Sequence, residues 1–198
     1  MLEAATIPTL HQHLTEAWHE PAPPTTQDPP EDPLAALITA QHRENFDLWH
    51  EEDKARDPQA TDADIAQIKR AIDRLNQRRN DLVEKIDQWL LANLPQQNPA
   101  APLNSETPGL IIDRLSILAL RIYHTRIEAH RESASEGHRL RNASRLTLLE
   151  EQRNDLAGSL EALLDGVRSG SRRFKLYRQM KMYNDPDLNP VVYKNTGS

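Results

Sequence analysis

"RRNDL", Arg78 to Leu82, returns 74 residues later as "QRNDL", Gln152 to Leu156. Sliding residues 45–90 onto 119–164 without a gap aligns His50 with His124, Ala55 with Ala129, Ala60 with Ala134 and Leu75 with Leu149. It also aligns Arg79, Asn80, Asp81 and Leu82 with Arg153, Asn154, Asp155 and Leu156, and Leu90 with Leu164. Amphipathic helices match one another cheaply, so the identities alone are weak evidence. The register adds independent support. Trp49 falls on Tyr123, Leu48 on Ile122, and the helix-capping Thr61 on Ser135. These coincidences point to a duplicated helical hairpin. Two hairpins that each expose an apolar stripe must bury it against each other, which predicts an all-α four-helix bundle with pseudo-two-fold symmetry.

The flanking sequence extends this plan. Leu10, Leu14, Ala17 and Trp18 share one face of a short helix near residues 8–19. "EPAPPTTQDPPEDP", residues 20–33, carries six prolines and reads as a semi-extended strap. The first bundle helix runs from about Leu34 to Arg56. Thr61 and Asp64 then form a capping box before the stripe Ile65, Ile68, Ile72, Leu75, Leu82, Ile86 and Trp89. "PQQNPAAPLNSETP" at 95–108 breaks the chain again. Thr107 and Pro108 open the third helix, "LIIDRLSILALRIYHTRI", the most apolar segment and the expected centre of the bundle. A fourth helix runs from Ser135 to Gly166–Gly170, and "SRRFKLYRQMKMYND" reads as a last one. The expected organisation is an N-terminal helix and strap (1–33), the bundle (34–170), and a basic, aromatic C-terminal helix and tail (171–198).

Composition narrows the function. Only 37% of the 198 residues are hydrophobic and 27% are charged, enough for one elongated helical core. The chain has no cysteine, so thiolate catalysis and cysteine-ligated zinc are excluded. A net charge of −6 argues against general nucleic-acid binding. No stretch approaches about 18 uninterrupted apolar residues, as a membrane span requires. "MLEAATIPTLHQHL" lacks a basic region leading into an apolar one, so no secretory signal is expected and a cytoplasmic location is.

"NFDLWHEEDKAR", "IKRAIDRLNQRRNDLVEKID", "LNSETPGLIIDRLSILALRIYH" and "RRFKLYRQMKMYNDPDLNP" together resemble domain-of-unknown-function family 4254 over residues 34–190. The resemblance implies a small bacterial protein with a contextual link to envelope glycan synthesis. It implies no activity and no catalytic residues.

Three stretches could carry chemistry. "WHEED" puts His50 and Asp53 on one helix face, and Glu51, Glu52 and Asp53 are candidate ligands for Mg²⁺ or Mn²⁺. The pair Glu84 and Asp87 would complete a two-carboxylate site. In an antiparallel hairpin, however, Glu84 lies about 27 Å from Asp53 at about 1.5 Å per residue, too far for one shared metal. The structural reading of Glu52 and Asp53 is an ion pair with Lys69 or Arg70. Asp113 and Arg114 sit within an apolar run and need partners. If the third and fourth helices are antiparallel, they lie level with Arg153 and Asn154, which predicts a buried network that fixes register or lines a pocket. Finally, Arg172, Arg173, Lys175, Arg178 and Lys181 have no acid among them and are interleaved with Phe174 and Tyr177. Arginine with aromatics suits phosphate groups, flat rings or an acidic partner; the structural alternative is docking on the protein's own acidic surface.

The histidines are dispersed in sequence and none has zinc-site spacing. There is no Gly-rich phosphate loop and no nucleophile elbow. The leading reading is a non-catalytic binding or accessory protein without a cofactor, homodimeric, which engages a phosphorylated ligand or partner protein. The alternative is a metal-dependent hydrolase of a phosphorylated, nucleotide-like substrate.

Overall fold

The computed structural model of the chain describes residues 3–21, 30–178 and 187–190. A 3₁₀ turn, Ala4–Thr6, leads into α1 (Ile7–Trp18). Four long helices follow: α2 (Pro33–Lys54), α3 (Asp62–Asn93), α4 (Pro108–His130) and α5 (Glu136–Arg168). Each starts where a side chain can satisfy its free amides. The Asp32 carboxylate accepts from the amides of Leu34 and Ala35. Thr61 and Asp64 bond reciprocally in a complete capping box. Thr107 and Ser135 cap α4 and α5. The two predicted caps that the repeat superposes are therefore both caps.

As its composition predicts, α4 is central: it packs against α1, α2, α3 and α5. The hairpins α2–α3 and α4–α5 form the long axis of the bundle, and α1 lies against α4, α2 and α5. α3 and α5 do not touch each other. The core is concentrated at one end, where Ile7, Ile38, Ile86, Leu90, Ile112, Leu115, Leu160 and Val167 pack together. Side chains of this size each contribute about 1.5–3 kcal/mol on full burial. Towards the opposite end the core thins to Leu48, Ile72 and Leu75. There Ile127, Leu140 and Leu148 are left exposed. No helix among the described residues is long and apolar enough to cross a membrane.

The C-terminal segment departs from expectation. Residues 171–178 are not helical, and 179–186 lie outside the described residues. Gly170 ends α5 with φ +72°, and the amides of Ser171 and Arg172 both close onto the Gly166 carbonyl. A side chain at Gly166 would sit 2.6 Å from Arg172 Cγ, so the chain can fold back this tightly only over a glycine. It then runs beside the 95–108 connection. The Arg173 amide donates to the Pro102 carbonyl, and the Asn104 amide donates to the Arg173 carbonyl. The proline-rich connection is thus a platform for the C-terminus as well as a helix break.

Candidate functional site

The first feature is a buried polar seam joining α1, α2 and α4. Asp113 Oδ1 accepts from Gln41 Nε2 at 2.6 Å and from Asn45 Nδ2 at 2.9 Å. Asn45 Nδ2 also donates to Ser116 Oγ at 2.9 Å. His42, fully buried, has Nδ1 at 2.7 Å from Ser116 Oγ and Nε2 at 2.9 Å from Thr15 Oγ1. The direction of every bond follows from one end. Thr15 gives its only hydroxyl proton to the His11 carbonyl, so it must accept from His42 Nε2–H. Nδ1 of His42 then carries the lone pair that receives the Ser116 proton. These directions are those of neutral His42, the form that burial favours by holding its pKa down at about 3.

This seam corrects the expected partners of Asp113. Its cation is Arg79 of α3, with Nε at 3.8 Å. Arg153 and Asn154 of α5 take no part: Arg153 bonds Asn154 Oδ1 beside it, and Asn154 is exposed. Arg114 points outward and pairs with Glu106. The copy of Arg-Asn-Asp-Leu that meets "DRL" is the first, because α2 and α3 close over that face of α4 while α5 packs elsewhere on it.

The seam borders an open cleft over α4, its larger lobe walled by α2 and α3 and its smaller lobe by α5. It has two lobes of about 520 and 370 Å³ that share Ile117 and Arg121. Trp49, Glu52, Asp53 and Arg79 line the larger lobe; Arg114, Gln152 and Asp155 line the smaller. The expected metal ligands are split. Glu52 and Asp53 face this cleft, whereas Glu51 lines a different groove with Asp47, His50 and Lys54. Glu51 pairs with Lys54 and Glu52 with Arg56, and Lys69 bonds Asp73 within its own helix. Asp87 is buried at the start of α4, where it accepts from the Gly109 amide at 2.7 Å and bonds Thr107; burial pushes its pKa up to about 6. It anchors a helix terminus. Among the described residues no group of three or more His, Asp or Glu is arranged to hold a metal ion.

The fold also assembles what the sequence disperses. His11 and Trp18 both stack on His42, with centroids 4.6 and 5.2 Å away. His19 stacks on Tyr123 at 4.1 Å and meets His50 and His124 edge-on. Trp49 lies parallel to His124 at 4.6 Å. Burial lowers the pKa of His11, His50 and His124, the last to about 4. The one signal that could have found this cluster is the repeat, which places His50 and His124 at equivalent positions. Spacing along the chain could not, since α1 supplies His11 and His19 from beyond the strap.

The basic C-terminal residues divide by role. Phe174 is buried in the main core, and its amide donates to Gln97 Oε1 at 2.7 Å. Arg173 Nε donates to the Ala101 carbonyl at 2.7 Å. Pinned at these two residues, the segment exposes Arg172, Lys175, Tyr177 and Arg178, none of which forms an ion pair among the described residues. Lys181 lies outside the described residues.

A family model described as a protein of unknown function, DUF4254, matches residues 35–176, and the chain belongs to that family. The match spans the four long helices and the pinned part of the C-terminal segment, and begins after α1. No curated protein and no solved structure matches the chain.

Proposed function

We propose that this is a non-catalytic binding protein that docks on an acidic or phosphorylated surface of a partner protein through Arg172, Lys175, Tyr177 and Arg178. The observation that carries this reading is the pinning of the strip. Burial of Phe174 and the Arg173–Ala101 bond fix its backbone, so the basic side chains are presented without the ordering cost of a free tail. An exposed run of cations with an aromatic suits an acidic protein surface. Lys181 extends the row in the sequence. The link to envelope glycan synthesis rests on the resemblance alone.

Self-association belongs to the same reading, with Ile127, Leu140 and Leu148 as the apolar side chains a second copy would cover. Light scattering should give twice the chain mass; a monomer at all concentrations refutes the dimer. For the strip, fluorescence anisotropy with a polyglutamate peptide and a polyphosphate probe should show salt-sensitive binding. The triple change Arg172→Glu, Lys175→Glu, Arg178→Glu should abolish it with the fold intact. Undiminished binding by the triple variant overturns the proposal. The hydrolase alternative would need Glu51, Glu52 and Asp53 on one face, and they line two different grooves.

A further inference from the structure

The cleft over α4, whose larger lobe lies between α2, α3 and α4, is a second site, independent of the C-terminal strip and of a different kind: it is concave. We infer that it binds a small phosphate ester of a ring, with the phosphate between Arg79 and Arg121 and the ring against Trp49. Three observations converge. The larger lobe, about 520 Å³, is of the size that holds a small organic ligand, and Leu48, Trp49, Ile117 and Leu120 give it an apolar lining beside its polar side chains.

The cations of the cleft are unequal. Arg56 and Arg114 are spent on Glu52 and Glu106. Arg121 is exposed where the two lobes meet and has no ion-pair partner among the described residues. Arg79 has Asp113 as its one ion partner among the described residues, 3.8 Å away at an oxygen already holding two amide donors; its Nη2 donates to Asn80 Oδ1 at 3.2 Å, and its buried Nε makes no hydrogen bond. Two guanidinium groups with donors to spare, one held by the seam and one at the rim, match a phosphate dianion, which offers oxygens for bidentate contacts.

The third observation is Trp49. Its ring is locked parallel to His124, so the lobe wall is a rigid aromatic surface that loses little freedom when a ring lies on it. Asp53 and Asn76 line the same lobe and can bond ring hydroxyls or amides. A sugar phosphate and a nucleoside monophosphate share this chemistry.

Isothermal titration of the full chain with inorganic phosphate, glucose 1-phosphate and uridine monophosphate tests the inference. At least one of the two esters should bind more tightly than inorganic phosphate, and the one preferred identifies the ring. Arg121→Ala should weaken it by about tenfold or more, the scale of losing one charge-assisted contact. The double change Arg172→Ala, Arg178→Ala should leave it unaltered, which separates the cleft from the strip. The inference is overturned if neither ester binds, if inorganic phosphate binds as well as both, or if Arg121→Ala binds like the parent. Circular dichroism of Arg121→Ala checks that the exposed substitution leaves the fold intact.

Discussion

In α3, Asn80 is 3% exposed and Arg79 reaches Asp113 across the bundle; in α5, Asn154 is exposed and Arg153 bonds only the residue next to it. The four residues are identical in the two helices. What differs is the number of neighbours. α3 is covered by α2 and borders α4, whereas this stretch of α5 lies along α4 with an open cleft on one side and a small groove against α1 on the other. A repeated motif therefore acts in the centre of the bundle only where the surroundings close over its polar groups. At the other end of the repeat the copies do behave alike: Leu90 and Leu164 are both in the core.

Acid should break this comparison most strongly, because the seam on the α2 side depends on neutral imidazoles. The folded pKa of His42, about 3, lies below the unfolded value near 6.5, and that of His11 is lowered too. As pH falls below about 6.5 the unfolded chain takes up protons that the fold refuses, so stability drops until His42 itself titrates. The loss between pH 7 and pH 4 should be on the order of 3–5 kcal/mol. Asp87 acts with the opposite sign: its raised pKa adds a smaller stabilisation below about pH 6. Urea titrations across this range check the balance, and a flat profile down to pH 4 contradicts the neutral seam.

Asp113→Ala should come next, at about 2–4 kcal/mol, because it removes the acceptor that Gln41 and Asn45 share and the partly buried ion partner of Arg79. A fully stable variant would remove the seam from any structural role. The smallest effect sharpens the contrast between copies. Asn80→Ala should cost about 1–2 kcal/mol in thermal or urea unfolding, and Asn154→Ala less than about 0.5 kcal/mol. Equal costs would mean that the two environments are alike.

The fold was legible because local signals agreed. Thr61, Thr107 and Ser135 cap as their side chains dictate, and the apolar excess around Ile111, Ile112 and Leu115 puts α4 at the centre. The C-terminal segment was not, because its helix-forming residues are overruled by the Gly166–Gly170 turn and by backbone partners at Pro102 and Asn104. For the site, Asp113 was recognisable as a charge needing partners, but a choice between two identical motifs cannot be made from the chain alone. The cleft was less legible still. Arg121 of α4 and Trp49 of α2 become neighbours of one space only in the packed bundle, 72 residues apart along the chain.

The most direct test of the unequal copies is a pair of double-mutant cycles, Arg79→Ala with Asp113→Ala and Arg153→Ala with Asp113→Ala, read by urea unfolding at pH 7. Arg79 and Asp113 should couple by roughly 0.5–2 kcal/mol, and Arg153 and Asp113 should be additive to within about 0.5 kcal/mol. Coupling of Asp113 to Arg153 instead would mean that the second copy, not the first, holds the centre of the bundle.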